Sequence, residues 1–240
     1  RSSLKPIGRR YESVTLDGKT GTLKPSAIDP ATDDEIAQTV KVMGGEDWNL
    51  WIDAFEDAGV LADGAVTTAY SYIGPEITFP LYRDGTIGRA KEHLEDTART
   101  LDRRLRERGG HAWVSVNKAL VTRASAVIPA VPLYLAILYR VMKEKNLHEG
   151  TIHQMHRLYA ERIYPYLDDG SEVPTDDEER IRMDDWEMRD DVQRTVRDAW
   201  DRVDDGNLAE LADLEGFQNE FLQIHGFGFD GVDYEKDVEV

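Results

Sequence analysis

The chain has 240 residues, 40% apolar and 32% charged, with a formal net charge of -18 and no cysteine. That is enough chain for one large domain or two small ones with a sizeable core, and the apolar fraction excludes a disordered polypeptide. The missing cysteine excludes a disulfide framework, a thiolate nucleophile and a Cys-ligated zinc, and the acidity argues against nucleic acid or an anionic membrane as partner.

Arginine outnumbers lysine about two to one, and aspartate outnumbers glutamate. A dense carboxylate surface with few lysines suits concentrated salt, where the Debye length shrinks to roughly 3 Å at 1 M and self-repulsion is screened. A halophilic, cytoplasmic protein is therefore expected; the plainer reading is an ordinary acidic protein. The longest apolar run, Ala126 to Met142, is too short for a membrane span and carries Pro129 and Pro132. The chain opens on Arg1 rather than methionine, which reads as a processed, engineered or truncated product.

In chain order, residues 1–30 read as a loop and short hairpin with turns at Asp17-Gly18 and Thr20-Gly21. Thr32-x-x-Glu35 is a capping box that starts a helix, and Gly44-Gly45 stops it. Trp48, Trp51 and Phe55 recur at helical spacing until Ala58-Gly59. Ala65 to Tyr72 is a strand, rich in Val, Thr and Tyr. A long amphipathic helix follows over about Thr86–Arg108, closed by Gly109-Gly110, and Ala112 to Val116 is a second strand.

Helices are then expected near Pro132–Lys145 and Glu149–Tyr164, an acidic solvated loop over Asp168–Glu179, and helices near Met188–Val203 and Leu208–His225 before a Gly-rich tail. A strand, a long helix and a strand make one crossover, so the chain reads as part of a parallel α/β sheet with a helix-rich C-terminal elaboration. Three stretches follow: an N-terminal hairpin and helices over 1–64, an α/β segment over 65–145 and a helical region over 146–240.

The chemistry concentrates between Ala69 and Glu95, where Tyr82 and Lys91 form a Tyr-x8-Lys pair and Tyr72 lies ten residues upstream. On an unbroken helix nine residues turn by about 900° and leave the two side chains on opposite faces. Pro80 before the tyrosine and Asp84-Gly85 after it supply a break. Tyr82 is then expected on a loop beyond the strand and Lys91 in the early turns of the helix, where ligands collect in α/β sheets. A free tyrosine has a pKa near 10, and a neighbouring ammonium favours its phenolate and eases proton transfer. By spacing alone the pair equally describes a half-buried aromatic and a surface lysine.

The surrounding string carries more. YSYIGPE, YRDGTIGRAK, VSVNKALVTRASAVIP, VMKEKNLHEG, RIRMDDWEMRDDVQ and the closing FGFGFDGVDYEKDVEV resemble, in order and spacing, the FabV/TER family of NADH-dependent trans-2-enoyl-CoA or acyl-carrier-protein (ACP) reductases. The likeness spans nearly the whole chain, roughly the C-terminal 60% of that family. It implies a Rossmann-like, short-chain-dehydrogenase-like sheet and an oxidoreductase of fatty acid biosynthesis using NADH, with an enoyl-CoA or enoyl-ACP substrate; separately, a monomer is expected, an oligomer being the alternative. Carried over residue by residue, Tyr82 matches the proton donor, Lys91 the lysine on the cofactor ribose and Tyr72 a contact to the acyl substrate. Leu120, Val121 and Thr122 match a backbone stretch at the nicotinamide end of NADH. The family's N-terminal strand, Gly-rich turn and helix, which hold the dinucleotide, have no counterpart before Tyr82. The rival reading is a non-catalytic helical α/β fragment, or a partner module lacking its own cofactor site.

Several other features point elsewhere. A G-x-G-x-x-G at Gly226, Gly228 and Gly231 follows a helix rather than a strand and reads as a turn. His153 and His156, with His148 and Glu149 nearby, read as an amphipathic helix, so no metal is expected. Lys118 reads as structural. Arg103, Arg104, Arg106 and Arg108 read as an ion-paired helix end, the alternative being a seat for CoA phosphates.

Overall fold

The computed structural model describes residues 1–17 and 20–237, without the Val127 side chain. The Asp17-Gly18 turn and the end of the closing FGFGFDGVDYEKDVEV motif therefore extend outside the described residues. The chain forms two compact units, one of residues 1–13, 27–119 and 152–189 and the other of residues 14–26, 120–151 and 190–240. Strands β1 (Tyr11–Asp17) and β2 (Thr22–Ile28) pair as the expected hairpin, and Thr20-Gly21 is a turn.

The first unit is built on a three-stranded parallel sheet in the order β3 (Val66–Ser71), β4 (His111–Val116), β5 (Ile181–Arg182). Helix α1 (Asp33–Met43) starts at the Thr32–Glu35 capping box, both of whose hydrogen bonds are present, and stops at Gly44. Helix α2 (Glu46–Asp57) ends at Ala58; of its aromatics Trp48 packs inward, while Trp51 and Phe55 are exposed. Helix α3 (Thr86–Arg106) buries Ile87, Ala90, Leu94, Ala98, Leu101 and Leu105, a stripe spaced by three and four residues.

That stripe covers Ala112, Val114 and Val116 on one face of β4, while Trp113 on the other face packs with Leu158, Ile163, Val173, Ile181 and Met183. β4 is thus central and buried on both sides, which is why it reads as a continuous apolar run. The helix expected over Glu149–Tyr164 is α5 (Thr151–Arg157), a π-helical segment (Leu158–Ile163) and α6 (Tyr164–Asp169). Pro165 in the first turn of α6 has no N–H for the preceding turn, so the α-helical ladder must shift there. The two-residue β5 falls where no strand was expected. It exists through its pairing with Ser115 and Val116.

In the second unit α4 (Val131–Glu144) is buried over most of its length and packs against α7 (Asp190–Trp200) and α9 (Leu214–Gln223). The helix expected over Leu208–His225 is two, α8 (Leu208–Leu211) and α9. The Asp213 carboxylate caps α9 by accepting from Gly216 N–H at 2.9 Å, and its own N–H donates to the Ala136 carbonyl at 2.8 Å. No helix among the described residues is long and apolar enough to cross a membrane.

Candidate functional site

β3 ends at Ser71, so Tyr72 stands at the C-terminal edge of the sheet, beside Asn117, whose N–H donates to the Ser71 carbonyl at 2.9 Å. Between Tyr72 and α3 the chain winds through tight turns: Tyr82 N–H donates to Thr78 O at 2.9 Å and Asp84 N–H to Phe79 O at 2.8 Å. The start of α3 is fixed from outside, because buried Thr86 donates its N–H to Lys5 O at 3.0 Å and its hydroxyl to Ser3 O at 2.5 Å. The expected break between Tyr82 and Lys91 is therefore present: Tyr82 lies in the turn before α3, and Lys91 in the second turn of the helix.

Two glycines let these parts meet. A Cβ on Gly88 would stand 2.7 Å from the Tyr82 carbonyl and closer still to that of Arg83. A Cβ on Gly74, which has a φ of +72°, would stand 2.6 Å from the Tyr72 hydroxyl.

The Tyr72 and Tyr82 rings meet edge to face, with centroids 4.9 Å apart and planes at 89°. Tyr72, Lys91 and Met188 line a cleft of about 320 Å³, together with Arg83, Arg180 and Arg182. The Lys91 ammonium donates to the Tyr70 carbonyl at 3.0 Å. Burial pushes the Lys91 pKa below the ordinary lysine range, with Glu95, one turn on, pulling it back up. Burial likewise pushes the Glu95 carboxyl upward, against Arg180, whose Nη1 lies 3.3 Å from Glu95 Oε2. Burial pushes the Tyr82 phenol up to about 12. Desolvation thus governs this tyrosine, whereas the sequence suggested that the lysine would lower it; Tyr82 stays protonated across the physiological range.

Leu120, Val121 and Thr122 belong to the second unit. Val121 N–H donates to the Tyr139 hydroxyl at 3.0 Å, Thr122 N–H to Ser125 Oγ at 2.8 Å, and Ser125 Oγ–H to Leu120 O at 2.7 Å. The Val121 carbonyl accepts no hydrogen bond among the described residues, and the residue is fully buried. Reasoning from sequence missed Glu187, which is fully buried and accepts from the Tyr72 hydroxyl at 3.2 Å and from Ala119 N–H at 2.6 Å. No local pattern signals it, since its partners are distant in sequence. Lys118 is 2% exposed and donates its ammonium to the Ala119 carbonyl at 3.0 Å, in keeping with a structural lysine.

The other candidates resolve simply. Arg104 pairs with Asp53 and Glu56, Arg106 with Asp102 and Arg108 with Asp63, so this basic island is largely an ion-paired helix end. His148 faces Glu220 at 2.5 Å, and the described residues hold no cluster of three or more metal-ligating side chains. Gly226, Gly228 and Gly231 all have left-handed φ and follow α9, with no strand leading into them.

Parallel strands joined by a helix, with two tyrosines and a lysine near the C-terminal edge, define a Rossmann-like segment. Residues 1–164 match the family model described as the trans-2-enoyl-CoA reductase catalytic region, and residues 175–238 match an enoyl reductase FAD-binding domain. The chain belongs to the trans-2-enoyl-CoA reductase family. It is 55% identical to the trans-2-enoyl-CoA reductase (NADH) of Brachyspira hyodysenteriae over 241 residues, covering all of this chain and 60% of that protein. It is 53% identical to the enoyl-[acyl-carrier-protein] reductase (NADH) of Coxiella burnetii, covering all of this chain and 58% of that one.

Among solved structures, the Treponema denticola trans-2-enoyl-CoA reductase in complex with NAD superposes with a TM-score of 0.92 at 53% identity, over 99% of this chain and 58% of that one. The Clostridium acetobutulicum trans-2-enoyl-CoA reductase in complex with NADH gives 0.92 at 46%, over 99% and 59%. The chain thus spans about 60% of the length of the curated relatives it matches.

A flavin does not fit the segment that carries its name. Over residues 175–237 the described elements are a two-residue strand, three helices and a glycine-rich turn, and the turn that leads from the strand into the first helix has no glycine with which to cradle a dinucleotide pyrophosphate.

Proposed function

We propose that the protein containing this chain reduces trans-2-enoyl thioesters of CoA or ACP to saturated acyl thioesters with NADH, in fatty acid biosynthesis. The observation that carries the reading is the meeting of the Tyr72 and Tyr82 rings at the C-terminal edge of the parallel sheet, with Tyr72 and Lys91 lining one cleft. The Lys91 ammonium fits the ribose hydroxyls of NADH as a donor. When bound, NADH supplies a hydride to Cβ of the enoyl thioester.

Tyr82 is the proton donor. Negative charge develops on the thioester oxygen, and a phenol hydrogen bond aimed at that oxygen lowers the barrier. The proton Tyr82 gives up completes the CH2 at Cα, and solvent returns one to the phenolate. A phenol held at about 12 is fully protonated when the substrate arrives. Tyr72 faces the acyl portion. Within this chain, 1–64 is the hairpin and helices, 65–145 the catalytic α/β segment and 146–240 the helical region, with dinucleotide binding completed outside it. The net charge of -18 supports a halophilic enzyme; a monomer in the cytoplasm is proposed with it.

The test uses protein expressed from the complete natural reading frame. NADH consumption with crotonyl-CoA or crotonyl-ACP, and formation of the butyryl thioester, are the expected outcome. A folded protein that oxidises no NADH with either thioester, across chain lengths and salt concentrations, overturns the reading.

A further inference from the structure

The reductase reading leaves one ionisable group unused at its centre. Glu187 has no exposed surface, yet it is an acid by type. A carboxylate is costly to bury unless its oxygens are satisfied, and here they serve two different chain segments. Oε1 accepts the Tyr72 hydroxyl at 3.2 Å; Oε2 accepts Ala119 N–H at 2.6 Å. The far side of the Ala119 residue is held as well, since its carbonyl accepts from buried Lys118 at 3.0 Å. The C-terminal edge of β4 and the tyrosine at the C-terminal edge of β3 are thus tied to a single carboxylate.

We infer that Glu187 is a positioning residue for the reduction, fixing both the place of the Tyr72 ring and the direction of its O–H. The inference rests on the proposed reductase function. A carboxylate oxygen can only accept, so it commits the Tyr72 proton to itself and leaves the phenol oxygen able to offer only lone pairs to the cleft. Tyr72 packs edge-on against Tyr82, so holding one ring also holds the other. Of the two phenols in contact, Tyr82 alone then presents a proton to the substrate. Two adjacent tyrosines are kept in different roles by one buried acid.

Glu187→Gln tests this with little change of volume. With its oxygen on Ala119 N–H, a glutamine turns its NH2 toward Tyr72, so the hydroxyl becomes the acceptor and its proton is no longer committed. In the full-length enzyme the expected result is a rise of about 10-fold in KM for crotonyl-CoA, the scale of one hydrogen bond to a charged acceptor. KM for NADH and the melting temperature stay near wild type. In a Tyr72→Phe background the same substitution should add under about twofold, because its effect passes through the Tyr72 hydroxyl.

Tyr72→Phe alone leaves the Glu187–Ala119 bond in place and should raise KM for crotonyl-CoA by itself, which keeps the test valid if Glu187→Gln folds poorly. An unchanged KM in either single variant overturns the inference, as does a full 10-fold effect of Glu187→Gln persisting over Tyr72→Phe. If the wild-type enzyme is active and only these variants disagree, the positioning role alone falls. A wild-type protein without reductase activity removes both.

Discussion

Replacing Tyr82 by phenylalanine separates chemistry from packing at this site. The substitution removes only Oη, and among the described residues that atom makes no hydrogen bond within the protein. The ring, with its 4.9 Å edge-to-face contact to Tyr72, is retained. Removing an unpaired hydroxyl from a half-buried site should therefore change stability by no more than about 0.5 kcal/mol. For 150–250 residues that is a melting-point shift of roughly 1–2 °C, and smaller still in the longer full-length enzyme. The transition state, in contrast, loses the donor to the thioester oxygen, worth about 2.7–4 kcal/mol, or roughly 10²–10³ in kcat.

The assay follows NADH absorbance against crotonyl-CoA in the full-length enzyme, with thermal unfolding read by circular dichroism on the same preparation. Turnover above about a tenth of wild type would refute Tyr82 as the proton donor. A loss of more than about 4 °C in melting temperature would refute the claim that its hydroxyl is structurally idle.

Lys91→Met should raise KM for NADH by about 10-fold or more, the cost of a charge-assisted hydrogen bond, with a smaller change in KM for the thioester; equal changes in both would deny it a specific hold on the cofactor. Gly88→Ala forces a methyl against the Tyr82 and Arg83 carbonyls, and overpacking on the scale of about 2 kcal/mol should lower the melting temperature by roughly 4–8 °C and cut kcat. A stable, fully active variant would show that the turn can move without consequence. With a net charge of -18, raising KCl from about 0.01 to 1 M should raise the melting temperature by roughly 5 °C or more as the Debye length contracts. A flat melting curve series would dismiss the halophilic reading.

Much of the first unit could be read in the sequence because its signals are local. Thr32 and Glu35 are three residues apart and make the hydrogen bonds of a capping box whatever lies beyond them. Gly44 and Gly109-Gly110 end helices for reasons carried within one turn. The break at Asp84-Gly85 is of the same kind, and it separated Tyr82 from Lys91 before any contact was known. Family resemblance added which side chains to watch, but not how they are held.

Where local signals ran out, the reading missed. One expected helix contains a π-helical segment, and another is split at Asp213, whose carboxylate turns to cap the new helix while its N–H reaches Ala136. β5 is two residues of strand that exist by pairing with β4, 66 positions away.

The sequence by itself determined where helices start and stop, the order of the crossover, and the presence of a tyrosine–lysine pair on either side of a break. Tertiary structure decided the environment of that pair. Tyr82 is governed by burial rather than by the lysine, because desolvation depends on everything packed around the ring. Glu187 became part of the site because folding brings it to Tyr72 and to Ala119, 115 and 68 positions away. Hydrogen bonds across such separations leave no spacing in the chain to read.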